Sequence, residues 1–278
     1  MQSVSRRRRA AAGASCMLQS IYGQLLCCLR SATCFGCYCG MLVAFAGGAA
    51  CFYLAMRLHI IFVEPERAPR IARLYIHRGA HLLFASLQRF GLMQVKMDPL
   101  GASCAGTVVV ANHPSMLDAM LLLSVIPNAV CVMKRPLLRL PVIGGFARWA
   151  RYIPQAETPE LLEGASQALA DGASIIIFPE GTRSDRVGIR AFKRGAARLA
   201  LEANRPIVPV AIAMKPVVLG AGWPIERPPL TSIKYQAVRL EALGAESTVL
   251  GGGVADDLRA MSMRLTQHLE DLIANSLL

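Results

Sequence analysis

The sequence is poor in acidic residues and lacks the short nucleotide-binding and serine-nucleophile motifs that many enzymes carry. Asp and Glu number 18 against 30 Lys and Arg, which gives a formal net charge of +12. The chain contains no Walker loop, no Gly-x-Gly-x-x-Gly fingerprint and no Gly-x-Ser-x-Gly elbow. Basic and aromatic residues are not interleaved in a recognised nucleic-acid-binding pattern. These absences argue against dinucleotide chemistry, a serine-elbow nucleophile and nucleic acid as a partner.

Cysteine is scarce beyond residue 51, where only Cys104 and Cys131 occur, so a disulfide scaffold is not expected. The remaining cysteines all lie in the first 51 residues: Cys16, Cys27, Cys28, Cys34, Cys37, Cys39 and Cys51. The Cys34-x-x-Cys37-x-Cys39 spacing has neither a nearby histidine nor a second cysteine pair, so we do not expect a metal site there. We interpret these cysteines as small polarizable residues that pack in an apolar helix.

Charged residues are absent from Ser31 to Met56, a stretch longer than the ~20 residues that a membrane-spanning helix needs. The basic cluster Arg6–Arg9 precedes this stretch, and several arginines follow it from Arg57 onward. The positive-inside rule assigns both flanks to the cytoplasmic side. We therefore predict a hairpin or a re-entrant segment, with Met17–Cys28 as a candidate second apolar stretch.

Residues 1–90 are predicted to form the membrane-associated part of the chain, and residues 91–278 an α/β domain. Within the first part, Ile71–Phe90 has the pattern of an amphipathic helix that lies in the membrane interface. Anionic lipid headgroups would then be the partners of the basic surface.

A histidine and a carboxylate lie in one short turn after a predicted buried strand. Thr107–Ala111 is apolar and β-branched, as buried strands are, and Pro114 suits the first position of a following helix. The string Asn112-His113-Pro114-Ser115-Met116-Leu117-Asp118 therefore falls at the carboxyl edge of a sheet. If the turn folds back, Asp118 accepts a hydrogen bond from one imidazole nitrogen and the other nitrogen is a general base. Taken alone, such a pair is more often a capping histidine beside an unrelated aspartate.

A second apolar strand, Ser174–Phe178, leads into a turn that suits an anion. Pro179 ends the strand because it has no N–H to donate, and Gly181 allows the backbone to approach a ligand closely. Arg183 offers a planar donor fork that matches phosphate. The basic residues that follow would by themselves indicate a solvated loop, but after this turn we interpret them as part of a binding site: Arg186, Arg190, Lys193 and Arg194.

The rest of the chain alternates between strand and helix patterns. Strands are predicted at Val130–Lys134, Ile207–Ile212 and Ile233–Leu240, and helices at Pro159–Leu169, Phe192–Glu202 and Asp256–Leu272. The expected fold class is α/β, with a mixed sheet flanked by helices and an N-terminal membrane-embedded helical segment.

The string Asn112–Asp118 resembles the first motif of the glycerolipid acyltransferase family, of the lysophosphatidic acid acyltransferase type. The string Phe178-Pro179-Glu180-Gly181-Thr182-Arg183-Ser184 resembles its third motif. A second motif is partly matched between Lys134 and Gly144, and Ile207–Ile212 resembles the fourth. The resemblance runs from about Gly106 to Ile212. The second motif departs from the family at Pro136, where an acidic residue is common, and at Pro154-Gln155, where many members carry Asp-Arg.

The resemblance implies a membrane-bound O-acyltransferase that moves a fatty acyl group from an acyl thioester to the free hydroxyl of a lysophospholipid. The first-choice acceptor is 1-acyl-glycerol-3-phosphate, which would give phosphatidic acid. His113 would deprotonate the acceptor hydroxyl, and Asp118 would orient the imidazole and stabilise its cation. Arg183 would hold the acceptor phosphate. The implied substrate-binding residues are Lys134, Glu180, Gly181, Thr182 and Arg183.

The expected acyl donor is acyl-CoA or acyl carrier protein, and neither a cofactor nor a metal is expected. Because such donors are cytoplasmic, the predicted location is the inner membrane of a bacterium, with the active site facing the cytoplasm. Alternatives remain open. The departing second motif favours another lyso-lipid, such as a lyso-ornithine lipid, as the next acceptor. A thioesterase or transacylase could use the same base, and an inactive membrane scaffold could retain the fold.

Overall fold

The computed structural model contains one seven-stranded sheet, and its helices cover both faces. The structure describes residues 40, 43–101, 104–155, 158–185, 188–224, 229, 231–244 and 258–277. The strands are β1 Met93–Met97, β2 Val108–Ala111, β3 Ala129–Met133, β4 Ile153–Pro154, β5 Ser174–Ile177, β6 Ile207–Lys215 and β7 Ile233–Arg239. Their order across the sheet is β1-β7-β6-β2-β5-β3-β4.

The sheet is mixed, which confirms the predicted fold class. Strand β2 runs parallel to both β5 and β6, whereas β6 and β7 are antiparallel. In the β2–β5 pair, Val108 lies opposite Ile175 and Val110 opposite Ile177. Because these neighbouring strands are parallel, their carboxyl ends meet at one edge of the sheet. The two turns singled out in the sequence follow those strand ends, so the sheet brings them side by side.

Helices pack on both faces of the sheet, around two clusters of buried apolar side chains. The helices are α1 Val43–Ile61, α2 Ala68–Arg89, α3 Asp118–Leu123, α4 Pro141–Trp149, α5 Thr158–Ala170, α6 Gly195–Glu202 and α7 Leu258–Asn275, with a short 3-10 helix at Arg135–Arg139. The first cluster includes residues of α1, α2 and α3, and the second those of α5, α6 and α7. All four residues of β2 are buried, as the continuous apolar pattern of this strand predicts.

Helix α1 is long and apolar enough to cross a membrane, judged by length and composition alone. It has 19 residues and a mean hydropathy of 1.4, and only 11% of it is buried by the rest of the protein. It docks on α4 through Tyr53, whose ring lies 5.2 Å from that of Phe146 and fills the space beside Gly145. The predicted second stretch, Met17–Cys28, and the cysteine string at Cys34–Cys39 lie outside the described residues.

Helix α2 packs into the domain core. It buries Ala72, Ile76, Ala80 and Phe84 in the same apolar cluster that contains residues of the sheet. Its Arg73, 2% exposed, donates from Nε to the carbonyl oxygen of Ala150 at 3.0 Å. The predicted boundary at residue 90 therefore does not separate two hydrophobic cores, although it follows the end of α2 closely.

Candidate active site

The predicted histidine–carboxylate pair forms at the carboxyl end of β2. Nδ1 of His113 lies 2.7 Å from Oδ2 of Asp118, the first residue of α3. Because an ionised carboxylate only accepts hydrogen bonds, Nδ1 is the donor and Nε2 carries the free lone pair. The His113 side chain is 19% exposed, whereas that of Asp118 is fully buried. The imidazole stacks on Phe178, with 4.2 Å between ring centroids and 22° between planes.

Asp118 is surrounded by hydrogen-bond donors. Its Oδ2 also accepts from the backbone amide of Ser115 at 2.7 Å, and its Oδ1 accepts from the hydroxyl of Tyr235. Burial raises the pKa of the Asp118 carboxyl, and the hydrogen bond from His113, followed by that from Tyr235, opposes this rise. The same burial, together with the nearby Asp118 charge, raises the pKa of Tyr235 well above its usual value, so its hydroxyl remains a donor.

Glu180 uses its carboxylate to join the two turns. Its Oε1 accepts from the backbone amide of His113 at 2.8 Å and from the hydroxyl of Ser184 at 2.7 Å, and its Oε2 accepts from the amide of Arg190 at 2.8 Å. The Ser184 amide in turn donates to the carbonyl oxygen of His113 at 2.7 Å. Glu180 is only 4% exposed. These contacts hold the backbone of His113 in place, a function that the substrate-binding role predicted from the sequence does not include.

The turn at Gly181 and Thr182 gathers polar and cationic side chains. Gly181 has φ +69°, and a Cβ built on it would lie 3.0 Å from Nζ of Lys193 and 3.1 Å from Nε2 of Gln155. On the other side, Nζ of Lys134 lies 3.4 Å from Oγ1 of Thr182. Neither lysine has a carboxylate within 4.0 Å among the residues that the structure describes. The structure thus brings the predicted Lys134, Gly181 and Thr182 together, with Lys193 beside them.

Arg183 connects the second turn to the loop that follows β6. Its Nη1 donates to the carbonyl oxygens of Leu219 and Gly220, at 2.9 and 2.7 Å. In the same loop, the carbonyl oxygen of Val218 accepts a hydrogen bond from the Ser115 hydroxyl at 2.8 Å. Nε and Nη2 of Arg183 have no hydrogen-bond partner within the described part of the chain, so three of its five N–H donors are available to an anion. Arg186, also in the predicted basic run, lies outside the described residues.

The pattern analysis missed three residues of this site. Tyr235 is the inward-facing member of an alternating strand and carries no motif signal. Phe178 was assigned only to strand β5, although an aromatic residue next to Pro179 could have indicated a stacking partner. Ser184 was quoted as part of a motif string but given no role. Each acts through a tertiary contact that spacing along the chain does not specify.

This arrangement offers a general base beside cations that can bind an anion. His113 has a fixed tautomer and a partly exposed ring, and Lys134, Lys193 and Arg183 surround the adjacent turn. The buried thiol of Cys131 is unsuited to nucleophilic chemistry because burial raises its pKa to about 12. Among the described residues, no group of three histidine, cysteine, aspartate or glutamate side chains could hold a metal ion.

Comparison with known proteins gives consistent results. A family model described as Acyltransferase matches residues 95–213. The chain is 27% identical over 180 residues to a chloroplastic 1-acyl-sn-glycerol-3-phosphate acyltransferase of Arabidopsis thaliana, covering 60% of this chain and 49% of the relative. It is 37% identical over 110 residues to the human 1-acyl-sn-glycerol-3-phosphate acyltransferase beta, covering 37% of this chain and 40% of the relative. The chain thus spans about half, or less, of the curated relatives it matches.

The fold is also that of a solved structure. The crystal structure of the 1-acyl-sn-glycerophosphate acyltransferase PlsC from Thermotoga maritima superposes with a TM-score of 0.61 at 22% identity, covering 81% of this chain and 87% of that one. The matched residues 95–213 contain both turns and the strands that hold them. The resemblance inferred from the motif strings is therefore confirmed, and residues 95–213 of this chain match the Acyltransferase family model.

Proposed function

We propose that this chain is a membrane-associated 1-acylglycerol-3-phosphate O-acyltransferase that converts lysophosphatidic acid to phosphatidic acid with an acyl thioester as donor. The observation that carries the proposal is the 2.7 Å contact between His113 Nδ1 and Asp118 Oδ2, which leaves Nε2 free beside a cationic turn. The names of the curated relatives support the same substrate class.

In the proposed reaction His113 Nε2 removes the proton from the acceptor hydroxyl as that oxygen attacks the thioester carbonyl carbon. Asp118 stabilises the imidazolium that forms, and the buried location strengthens this charge pairing. Collapse of the tetrahedral intermediate breaks the C–S bond, and the proton passes from the imidazolium to the departing thiolate. The acyl group moves directly to the acceptor, with no covalent acyl-enzyme.

The cations around the Gly181 turn would bind the acceptor phosphate. Arg183 supplies two unused donor nitrogens, while Lys134 and Lys193 supply charge from either side of the turn. Glu180 would serve this site indirectly, since it fixes the His113 backbone. Phosphate binding at this turn would hold the acceptor hydroxyl within reach of Nε2.

A lyso-ornithine lipid is the second candidate acceptor, because of Gln155. Many family members carry an arginine at this position, and here a neutral amide lies beside Gly181. Lys193 compensates for that lost charge, which favours the phosphate-bearing acceptor. An acceptor panel with the purified full chain tests this choice: thiol release should be several-fold faster with lysophosphatidic acid than with lyso-ornithine lipid. Faster release with the aminolipid would reverse the assignment.

The thiol-release assay also separates the other classes. Release without any acceptor indicates a thioesterase, and no release with either acyl-CoA or acyl carrier protein indicates a scaffold. The two donors, compared at equal concentration, identify the carrier. A lipidomic comparison of cells with and without the chain should show an altered pool of the true acceptor.

The membrane part of the proposal rests on α1 and the basic flanks of the apolar stretch. We infer that the site faces the cytoplasm of a bacterial inner membrane, where both donors occur. Deleting residues 1–90 is a poor test because it removes α2 from the core. Single cysteines at Ser5 and at the exposed Ser232, in a background without native cysteines, are preferable. Both should resist an impermeant reagent added to intact spheroplasts, and labelling at Ser232 alone would indicate a single span.

A further inference from the structure

We propose that Tyr235 is a positioning residue of this site, whose hydroxyl holds Asp118 in the orientation that lets it direct His113. Its consequence for catalysis rests on the proposed acyl transfer. Tyr235 lies 117 residues after Asp118 and 51 residues after Ser184, and it belongs to neither motif string. It reaches the site from β7, two strands away from β2 in the sheet.

The hydrogen bonds divide the two oxygens of Asp118 between separate tasks. Oδ2 accepts from His113 Nδ1 and from the Ser115 amide, each at 2.7 Å. Oδ1 accepts from the Tyr235 hydroxyl. Without this donor, Oδ1 would be fully buried with no partner among the described residues. A carboxylate with one unsatisfied oxygen can rotate to recover a bond, and rotation would weaken the contact with the imidazole.

The tyrosine ring is itself fixed by the sheet and by α2. Tyr235 lies opposite Met214 in the antiparallel β6–β7 pair, and its ring centroid is 6.2 Å from that of Phe84. The residue is 1% exposed. Its neighbours Lys234 and Gln236 are exposed because side chains alternate along a strand. The register of β7 therefore determines which side chain reaches Asp118.

The same contact influences the protonation of the His113–Asp118 pair. The titratable groups that act on Asp118 are His113, from its own turn, and Tyr235, from β7. From α2, Phe84 lies against Tyr235, and Nδ1 of His77 lies 2.8 Å from the carbonyl oxygen of Leu123 in α3. A donor to Asp118 favours the form in which the pair carries one net negative charge, which is the form with a free base. Losing that donor raises the macroscopic pKa of the pair. On acidification, a variant without this donor would therefore lose activity at a higher pH than the wild type does.

The test compares Tyr235→Phe with Tyr152→Phe. Tyr152 is half-buried, and its hydroxyl lies near Cys131 and Arg73, so the same change there removes no contact with Asp118 or His113. In Tyr235→Phe, we expect the acid limb of the kcat profile to move up by about one pH unit. At neutral pH kcat should fall about tenfold while both KM values stay within about twofold. Tyr152→Phe should match the wild type.

A second readout does not depend on the acyltransferase assay. The titration of the His113–Asp118 pair, followed by NMR of 13C-labelled histidine in detergent, should shift upward by the same amount in Tyr235→Phe. If Tyr235→Phe does not fold, 3-fluorotyrosine at position 235 keeps the ring and strengthens the donor, and the midpoint should move to lower pH. An unchanged midpoint of the pair in the variant that folds overturns the role of Tyr235. Inactivity of the wild-type chain on every lysolipid would instead refute the proposed function.

Discussion

Two buried carboxylates, one in each turn, have opposite kinds of partner. Asp118 is bonded to two ionisable side chains, His113 and Tyr235. Glu180 is bonded to backbone amides of His113 and Arg190 and to one serine hydroxyl. The first can therefore influence proton transfer, and the contacts of the second fix the path of the chain. The identity of the partners, more than burial or position in a motif, separates a chemical role from an architectural one.

Replacing the first carboxylate should have the largest effect within this comparison. Asp118→Asn keeps the shape but removes the negative charge and favours the wrong imidazole tautomer. We expect kcat to fall by about 10²-fold or more, with the thermal unfolding midpoint changed far less in proportion. Steady-state kinetics and thermal melts of the purified variant check this. Near-wild-type turnover in Asp118→Asn would show that Asp118, like Glu180, does not act in proton transfer.

The second carboxylate should reveal itself mainly in stability. In Glu180→Gln the new amide group must face one of the backbone or hydroxyl donors, so one hydrogen bond becomes a donor–donor contact. The free energy of unfolding should fall by about 1–3 kcal/mol, and activity should fall through displacement of His113. Denaturant unfolding measures the first quantity. Glu160→Gln, at an exposed pair with Arg135, is the control and should change stability by less than about 1 kcal/mol. If Glu180→Gln is as stable as the wild type but has a raised acceptor KM, Glu180 binds the substrate directly.

Arg183 lies between these two roles, because Nη1 holds a loop while Nε and Nη2 have no hydrogen-bond partner among the described residues. Arg183→Lys keeps the charge but loses the planar fork. The acceptor KM should rise by roughly tenfold and the donor KM by much less. The exposed Arg198, paired with Glu202 on α6, provides the matched Arg→Lys control. Equal changes in both KM values would indicate that Arg183 only holds the loop at Leu219 and Gly220 and does not bind the acceptor.

The smallest effect is expected at the glycine that shapes the second turn. Gly181→Ala must adopt a positive φ and also place its Cβ close to Lys193 and Gln155. Gly222→Ala has nearly the same φ, +70°, but would meet nothing within 4 Å. Both should lose about 1 kcal/mol of stability from backbone strain. Only Gly181→Ala should also raise the acceptor KM, and identical kinetics for the pair would argue against ligand binding at this turn.

Much of the fold could be predicted because its strands are continuous apolar runs. The predicted Ser174–Phe178 and Ile233–Leu240 agree with β5 and β7 to within a residue at each end. Strand β1 was missed because Met93–Met97 alternates with polar residues and is short. Helix α4 was missed because its Gly144-Gly145 pair disfavours a helix locally. The glycine at 145 instead creates the space for Tyr53 of α1, a tertiary cause that local propensity does not include.

The site shows the same division. The pairing of His113 with Asp118 follows from a spacing within one turn, so the sequence contains it. The contact between Asp118 and Tyr235 depends on the register of β7 against β6, and the bracing by Glu180 depends on the adjacency of β2 and β5. Such long-range contacts are decided by sheet order, which the motif strings do not encode.

The central claim is that His113 is the base for transfer to a lysolipid hydroxyl. Single-turnover mixing of His113→Ala with radiolabelled acyl thioester and lysophosphatidic acid tests it most directly, with His268→Ala on α7 as the control. We expect the wild type and His268→Ala to react at similar rates, each releasing one free thiol for every phosphatidic acid formed. The rate for His113→Ala should be lower by about 10²–10⁴-fold, with its thermal unfolding unchanged. Transfer by His113→Ala at a rate close to that of the wild type would contradict the account.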